Sequence, residues 1–247
     1  MLYEVNPKSH FPAMKYSFPK EKSIIVSLGG SCFSKPHGLD VEYLQKFVTA
    51  IRGYVGQGYR FIIVTGGGMV CRVYQDAARQ MGKPTNVDLD WVGIASTKLN
   101  AHLLRAAMSD IAHPEVIEDP TNPPEISAPV AFGSGYRPGN SSDHDAVLLA
   151  VHYGAAALIN MGSADHVYNV DPKMNVNAQK IPELNWAQYA AIVPQEWQPG
   201  MNAPFDPVAA KAAEEHGLAV LITNGRDLLN FEKLISGQEG EGTLIHL

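Results

Sequence analysis

Three consecutive glycines, with an arginine one helical turn further on, form the stretch of this sequence best suited to chemistry. Residues 61–65 read Phe-Ile-Ile-Val-Thr, a run of β-forming residues, and Gly66-Gly67-Gly68 follows before a helical pattern begins at Met69. Glycines allow backbone N–H groups to approach a ligand closely, and the N-terminal end of a helix attracts anions. Arg72 would add a guanidinium that forks onto phosphate oxygens. The stretch therefore predicts an anion site, although an ordinary tight turn explains the glycines equally well.

A glycine pair also follows an earlier strand pattern. Residues 23–28 have the composition of a buried strand, and this strand ends at Gly29, Gly30 and Ser31. Their backbone amides and hydroxyl suit a phosphoryl group, but the loop lacks the Gly-Lys-Ser/Thr sequence of a P-loop. The sequence therefore argues against a Walker-type NTPase.

The elements that would position these loops alternate between strand and helix. Such alternation is typical of α/β proteins, in which helices cover both faces of a mostly parallel sheet. We therefore predict a three-layer αβα sandwich with a central, mostly parallel sheet. The pattern predicts strands at 23–28, 61–65, 129–132, 155–161 and 218–223, and helices at 40–57, 69–81, 91–109, 143–153, 206–216 and 227–235.

Glycines mark the carboxyl ends of the predicted strands. In open α/β sheets, ligands bind beyond those ends, so the glycine turns are expected to converge at one edge of the sheet. Several glycine-marked strand ends are much harder to attribute to chance turns than a single one. The glycines are Gly29, Gly66, Gly133, Gly162 and Gly225.

Three segments lack a clear period. Residues 1–22 are expected to form an extended N-terminal arm that packs on a neighbouring molecule or stays loose. Residues 114–124 are acidic and rich in proline, which predicts a surface excursion, and residues 172–207 are expected to be irregular between short elements. The chain ends in a predicted edge strand at 243–246.

The composition is that of an ordinary globular protein. Of 247 residues, 45% are hydrophobic and 18% are charged, and the net charge of −6 argues against broad binding to nucleic acids or membrane surfaces. Cys32 and Cys71 have no metal-ligand spacing, and the histidines form no HxH or HExxH pattern, so no protein-bound metal is expected. Few cysteines and no long apolar run predict a reduced, cytoplasmic setting.

The motifs, taken in order, resemble those of the amino acid kinase superfamily. The loop of Gly29, Gly30 and Ser31 is similar to the family's Gly-Gly-Ser loop, which contacts the transferred phosphoryl group. Many members have a lysine two residues before the glycine pair, whereas this sequence has Ser27. The resemblance covers residues 23–247 as a single domain and is greatest for uridylate (UMP) kinases of the archaeal type.

The acceptor side of the resemblance begins at Gly66-Gly67-Gly68 and Arg72, which look like the UMP kinase loop that holds the acceptor phosphate. Asp90 opens a stretch similar to one in UMP kinases, where the aspartate binds the ribose. A carboxylate can accept hydrogen bonds from both sugar hydroxyls. Asp90 would serve equally well as the N-cap of the helix predicted at 91–109.

A second acceptor motif lies at residues 133–143, which resemble the family's Gly-x-x-Pro-Gly-x-Ser/Thr-Thr-Asp loop. The resemblance implies that this loop shapes the nucleoside pocket. It places Ser141 and Ser142 where hydroxyl groups meet the base, and Asp143 at the start of the next helix.

The donor side resembles the family's Asp-Gly-Val-Tyr-x-x-Asp-Pro signature, here at residues 165–172. His166 replaces the usual glycine, and Gly162-Ser163 replaces a Thr-Asn or Thr-Asp pair. Asp206 opens an Asp-Pro-x-Ala-Ala-Lys motif, where the family's aspartate orients groups around the transferred phosphate. The implied ATP-site residues are Ser163, Asp165, Tyr168, Asp171 and Lys173.

The resemblance implies a kinase that transfers the γ-phosphoryl group of ATP to UMP, with Mg²⁺ on the donor phosphates. Acceptor binding would belong to about residues 23–153 and ATP binding to about residues 154–247. The family commonly forms homo-oligomers, including hexamers. Lys98, Lys173 and Arg137 are the candidates for the cation that Ser27 does not supply.

Two alternatives stay open at this point. One is an enzyme of the same fold with another acceptor, such as a carboxylate, a carbamate or another phosphate. The other is a non-catalytic nucleotide or oxyanion binding or storage protein, which the departures at Ser27, Gly162 and His166 favour. The presence of both an acceptor loop and a donor loop argues against a pure binding protein, which needs only one.

Overall fold

The computed structural model describes residues 14–36, 38–139, 141–193 and 203–247. Its strands are β1 (Ile24–Leu28), β2 (Ser34–Lys35), β3 (Gly38–Leu39), β4 (Phe61–Thr65), β5 (Ala112–Ile117), β6 (Val130–Gly133), β7 (Ala157–Gly162), β8 (Val167–Tyr168), β9 (Lys180–Ile181), β10 (Glu183–Asn185), β11 (Ala219–Asn224) and β12 (Thr243–His246). Its helices are α1 (Val41–Val55), α2 (Gly68–Met81), α3 (Asn86–Ala107), α4 (Ser142–His152), α5 (Trp186–Ile192), α6 (Pro207–Glu215) and α7 (Leu228–Ile235), with a 3₁₀ turn at Gly30–Cys32.

Eight of these strands form one sheet in the order β10-β12-β11-β7-β1-β4-β6-β5. The neighbouring strands pair in parallel, except that β11 and β12 are antiparallel. Two short hairpins, β2-β3 and β8-β9, lie outside the sheet. The prediction of a mostly parallel sheet is confirmed.

Hydrophobic clusters cover both faces of the sheet, because successive side chains of a strand point to opposite faces. Val26 of β1 lies in a cluster with Phe47 of α1 and Phe231 of α7. Its neighbour Ile25 lies in the other cluster, with Val147 of α4. The predicted three-layer αβα sandwich is therefore confirmed. No helix of the described residues is long and apolar enough to cross a membrane.

The glycine-marked strand ends converge as predicted. Strands β11, β7, β1, β4 and β6 are consecutive in the sheet and parallel, so their carboxyl ends share one edge. The turns after these five strands therefore lie side by side at that edge.

The surface excursion predicted at 114–124 is wrong in its first part, since residues 112–117 form strand β5. Val116 and Ile117 are buried, and β5 pairs with β6 only, at the edge of the sheet. A proline is tolerated in an edge strand because its missing N–H costs no ladder hydrogen bond. The proline-rich sequence therefore concealed the strand.

The opposite edge also differs from the prediction. Strand β12 at 243–246 lies between β11 and β10, so the expected edge strand is an interior one. The edge is β10, which lies within the segment predicted to be irregular and leads directly into α5. Asn185 caps α5, and the side chain of Gln188 completes the capping box.

The described part of the N-terminal arm, residues 14–22, packs on its own chain. Met14 and Phe18 are buried in the same cluster as the face of α1, and Tyr16 packs partly buried against it. The expectation of a loose arm, or one packed on a neighbour, is wrong for these residues because their apolar side chains alternate toward one surface. Residues 1–13 of the predicted arm lie outside the described part of the chain.

Helix α3 begins earlier than the predicted start at residue 91. Thr85 is its N-cap, and the hydroxyl of Thr85 accepts from the N–H of Asp88, whose carboxylate accepts from the N–H of Thr85. Asp90 lies in the second turn of the helix. The interpretation of Asp90 as an N-cap is therefore wrong, which leaves its carboxylate for another role.

We expect Thr85→Ala to lower the free energy of unfolding by about 1 kcal/mol, because the substitution removes a side-chain cap. Asp90→Asn keeps an acceptor oxygen and does not touch the cap, so its effect should be less than half as large. Urea unfolding of both variants measures the difference. Equal losses would contradict the assignment of the cap to Thr85.

Candidate functional site

Two glycine loops, at the ends of the adjacent strands β1 and β4, lie against each other. We call residues 29–31 the first glycine loop and residues 66–68 the second glycine loop. A Cβ atom on Gly30 would overlap the backbone nitrogen of Gly68. One on Gly66 would lie 2.6 Å from the backbone nitrogen of Gly30. The contact between backbones therefore requires glycine on both sides.

Polar side chains hold the two loops in this arrangement. The hydroxyl of Ser34 donates to the carbonyl of Gly30 (2.6 Å) and accepts from the N–H of Met69 (2.9 Å). The buried amide of Asn100 donates to the carbonyl of Gly66 (2.8 Å). Gly68 has a φ of +66°, a conformation that other residues rarely adopt. The second loop is thus fixed by contacts from both the first loop and α3.

Arg72 and Asp90 lie on the two helices beside the second glycine loop. Arg72 is exposed on α2 and makes no hydrogen bond or salt bridge with the described residues. Asp90 is half-buried on α3, where burial raises the pKa of its carboxyl group and the N–H of Gly139 donates to it at 3.0 Å. One side of the site thus offers a guanidinium without a partner among the described residues and a partly occupied carboxylate.

The N-termini of α4 and α6 meet at Asp206. One oxygen of its carboxylate accepts from the N–H of Ser141 (2.9 Å), and the other accepts from the N–H of Val208 (2.6 Å). The hydroxyl of Ser141 is the N-cap of α4 and accepts from the N–H of Asp143, while Ser142 is the first residue of that helix. Ser141 and Asp206 therefore hold two helix ends together, a structural role that sequence reasoning assigned only in part.

A hydroxyl–carboxylate pair lies where the resemblance would place a lysine. The buried hydroxyl of Ser27 on β1 donates to Asp143 at 2.6 Å. Protein atoms packed around the Asp143 carboxyl group raise its pKa to about 6, and the negative charge of Asp206 acts in the same direction. Hydrogen bonds from Ser27 and Asn160 oppose that rise. The role of Asp143 was missed because its position opens a helix.

The cations expected to replace the lysine are engaged elsewhere or exposed. Lys98 forms a salt bridge with Glu118 (2.7 Å), and the guanidinium of Arg137 lies 5.7 Å from the ring centre of Tyr136. Lys173 is exposed. None of the three therefore makes a described contact with the first glycine loop.

Arg226 is the cation that does contact the first glycine loop. It follows β11, and one of its guanidinium nitrogens donates to the carbonyls of Ser31 and Ser34, at 2.8 Å each. A second nitrogen lies 3.8 Å from a carboxylate oxygen of Asp40. Sequence reasoning missed Arg226, although its position directly after the glycine-marked end of β11 was a usable signal.

On the donor side, Asp165 is bonded to Tyr168, the only one of the other residues predicted there that it contacts by a described hydrogen bond. Its carboxylate accepts from the hydroxyl of Tyr168 (3.0 Å) and pairs with Lys180 (3.1 Å). Burial acts to raise the pKa of Asp165, but the bonds from Lys180 and Tyr168 outweigh it and hold the pKa below its usual range. Ser163 is exposed, and Asp171 accepts from the N–H of Lys173 in an exposed turn.

Beside Asp165 lies a cavity of about 380 Å³, which we call the donor-side cavity. Among the predicted ATP-site residues, only Asp165 lines it. The other lining residues come mainly from the end of β11, from α7 and from the loop before β12, and sequence reasoning identified only His166 among them. They are His166, Lys180, Thr223, Asn224, Asp227, Asn230 and Glu241.

His166 forms part of the wall of this cavity as a neutral side chain. Its Nε2 accepts from the N–H of Gly242 (3.1 Å), so the ring proton resides on Nδ1, which faces Asp165 at 3.4 Å. Burial and the nearby charge of Lys180 lower the pKa of His166. The residue that departs from the family motif therefore fixes the loop at Gly242.

The described residues contain no group of three or more His, Cys, Asp or Glu side chains arranged to hold a metal ion. Phosphate groups of a nucleotide provide oxygen ligands for Mg²⁺.

The amino acid kinase family matches this chain over residues 22–125 and 126–224. The chain is 34% identical to the uridylate kinase of Methanococcoides burtonii, over 83% of this chain and 87% of that protein. It is 35% identical to the uridylate kinase of Methanosarcina barkeri, over 86% of this chain and 91% of that protein.

Solved structures show a similar fold. The uridylate kinase of Archaeoglobus fulgidus superimposes with a TM-score of 0.74 at 32% identity, covering 90% of this chain and 99% of that one. The UMP kinase of Bacillus anthracis has a TM-score of 0.71 at 20% identity, and this similarity indicates a shared fold only.

The raised pKa of Asp143 predicts a specific pH dependence of stability. Its pKa is about 6 in the folded protein and near the ordinary aspartate value when unfolded, so the folded state binds the extra proton between these values. Stability from this group is therefore lost as the pH rises from about 4 to about 7. Relative to wild type, Asp143→Asn should gain on the order of 2 kcal/mol over that range. Urea unfolding at several pH values measures the difference.

Ser27→Ala serves as the control for this prediction. The Ser27 hydrogen bond lowers the pKa of Asp143, so its removal should raise that pKa further and move the pH-dependent loss upward. If both variants showed the same pH dependence as wild type, the Asp143 carboxyl group would not be the group that titrates.

Proposed function

The chain belongs to the amino acid kinase family, and we propose that it is a uridylate kinase that transfers the γ-phosphoryl group of ATP to UMP. The product would be UDP, in pyrimidine nucleotide biosynthesis. The observation that carries the proposal is the backbone contact between the first and second glycine loops. Two phosphate-binding loops in contact suit a reaction that passes a phosphoryl group from one nucleotide to another.

On the acceptor side, the second glycine loop and the N-terminus of α2 would bind the phosphate of UMP. Arg72 has no partner among the described residues and would form charge-assisted hydrogen bonds with that phosphate. Asp90 has one carboxylate oxygen bonded to the N–H of Gly139 and would accept from the ribose hydroxyls. Ser141 and Ser142 would border the base, although the Ser141 hydroxyl already caps α4.

At the centre, the first glycine loop of Gly29, Gly30 and Ser31 would surround the transferring phosphoryl group. Little covalent chemistry is required of a kinase, which mainly aligns two nucleotides and stabilises developing charge. Asp206 would position this centre through the helix ends of α4 and α6. Arg226, bonded to the carbonyl of Ser31, would supply positive charge near the loop.

On the donor side, Asp165 and Tyr168 would border ATP at the donor-side cavity, with Ser163, Asp171 and Lys173 on the adjoining segment. Mg²⁺ would arrive with ATP and neutralise its phosphates when bound. Asp143, bonded to Ser27 two residues before the first glycine loop, and Asp206 would offer carboxylate oxygens to such an ion.

We assign acceptor binding to about residues 23–153 and ATP binding to about residues 154–247. Strand β1 lies between β4 and β7, so the first glycine loop would adjoin both parts. A cytoplasmic location would give the enzyme access to ATP and UMP. Both cysteines, Cys32 and Cys71, are free, which suits the reduced setting of that compartment.

The outer surface of α2 and α3 supports assembly with further copies of the chain. No residue of α2 is buried, although all of that helix lies within the described residues. Large exposed apolar areas commonly mark interaction sites. We propose that the protein is a homo-oligomer that pairs through this surface. Its exposed apolar residues are Val73, Tyr74, Met81, Val87, Trp91, Leu99 and Leu103.

The alternative of a non-catalytic binding protein rests on Ser27, which pairs with Asp143 and supplies no charge. A coupled assay for UDP separates the two proposals. We expect purified protein to form UDP from UMP, ATP and Mg²⁺. Thermal stabilisation by UMP without turnover would support the binding protein instead. Stabilisation by another acceptor, such as acetylglutamate or isopentenyl phosphate, would indicate a different kinase of the same fold.

Arg72→Ala should raise the KM for UMP about 10- to 100-fold, because a charge-assisted bond to phosphate contributes about 1.5–3 kcal/mol. The KM for ATP should change less than threefold. Arg79→Ala is the matched control, since Arg79 lies on the same helix and pairs with Asp76 at 2.8 Å. Equal increases in both KM values would assign Arg72 to a shared or structural role.

Leu99→Glu should shift the protein to a smaller assembly in light scattering coupled to size-exclusion chromatography. Leu99 is 60% exposed on the surface of α2 and α3, where a buried charge would oppose pairing. Leu229→Glu, at a leucine on α7 that is 76% exposed, should leave the assembly unchanged. A monomeric wild type, or an equal effect of both variants, would contradict the assignment of the interface.

A further inference from the structure

The described N-terminal arm is bonded to the loop before β12. The N–H of Met14 donates to the carbonyl of Gly240 (3.0 Å), and the N–H of Gly240 donates back to the carbonyl of Met14 (2.9 Å). Met14 itself is 5% exposed. Two further anchors hold the arm, the bond from the Tyr16 hydroxyl to the carbonyl of Ala156 (2.8 Å) and the buried ring of Phe18. The arm is therefore a fixed part of the fold at this loop.

The residue after Gly240 is held by a second set of bonds. The N–H of Glu241 donates to the side-chain oxygen of Asn230, and its carbonyl accepts from the amide of the same side chain, both at 2.7 Å. The hydroxyl of Thr223 also donates to that carbonyl (3.1 Å). Asn230 is buried, so these bonds are shielded from water. The backbone of Glu241 is consequently tied to β11 and α7.

These bonded groups are also walls of the donor-side cavity. Glu241, Asn230 and Thr223 all line it. The Glu241 carboxylate lies 3.5 Å from both Lys180 and His166, which line the cavity too. A shift of the loop before β12 would therefore move the Glu241 carboxylate and change its contacts with Lys180 and His166.

The Met14 side chain packs against Gly242, which has no side chain of its own. Gly242 has a φ of +152°, and a Cβ atom there would lie 2.8 Å from the terminal methyl carbon of Met14. The N–H of Gly242 donates to His166. Met14 thus contacts the loop on both sides of Glu241, through its backbone at Gly240 and through its side chain at Gly242.

We infer that the N-terminal arm positions the wall of the donor-side cavity, with Met14 as the positioning residue. Through Gly240 and Gly242, Met14 sets the place of the Glu241 carboxylate and of the N–H that binds His166. The inference rests on the proposed function, in which Asp165 borders ATP at this cavity. The second glycine loop, Arg72 and Asp90 on the acceptor side have no described bond to the arm.

Met14→Ala should raise the KM for ATP about three- to tenfold, because a displaced Glu241 would weaken one contact in the cavity wall. The KM for UMP and kcat should stay within about twofold. Phe18→Ala is the matched control, because it removes a buried side chain from the same arm but away from the loop. It should lower the melting temperature without changing the ratio of the two KM values. Met14→Leu, which keeps the volume, should restore the wild-type KM for ATP.

Met14→Val, a smaller change, replaces Met14→Ala if the latter does not fold. An equal rise of both KM values, or the same KM ratio in the Met14 and Phe18 variants, would overturn the inference. Hydrogen exchange without nucleotide gives a readout independent of the proposed function. Peptides spanning residues 240–242 should exchange faster in the Met14 variant than in Phe18→Ala. If wild type forms no UDP, the proposed function fails, and unchanged exchange at 240–242 would separately refute the role of the arm.

Discussion

The site depends on one constraint, the absence of side chains where β1 and β4 end. Gly30 and Gly68 approach so closely that a single Cβ atom would overlap the neighbouring backbone. This approach lets Ser34 bond to both loops and lets Asn100 fix the second one from α3. These bonds fix the start of α2 relative to α3. The close approach of Gly30 and Gly68 therefore determines how the two helices lie beside the second glycine loop.

The charges at the centre of the site differ from those of a site that has a lysine on β1. Ser27 is neutral and donates a hydrogen bond to Asp143, whose pKa burial raises against the effect of that bond. Positive charge instead comes from Arg226, which reaches the first glycine loop from the end of β11. The cation thus approaches from the end of β11, which β7 separates from β1 in the sheet, and it lies at an exposed position.

The parallel sheet and the glycine-marked edge were predictable because its buried strands are continuous apolar runs and several of them end in glycine. Contacts between distant polar residues were not. Ser27 and Asp143 are 116 positions apart, and a hydroxyl–carboxylate pair produces no periodic pattern. Strand β5 was missed since Pro114 indicates a turn, and the start of α3 since the capping box at Thr85 precedes the apolar pattern. The burial of Met14 depends on Gly240, a partner that only the fold reveals.

The position of β1 between β4 and β7 also determines how far apart the loops after β4 and β7 lie. Neighbouring strands of a sheet lie about 4.8 Å apart, so the loops that follow β4 and β7 are separated by about 10 Å. This span is determined by backbone hydrogen bonding, and no side chain is needed to maintain it. Substitutions around the rim can therefore change the side chains at this edge of the sheet, while the separation of the two loops stays constant.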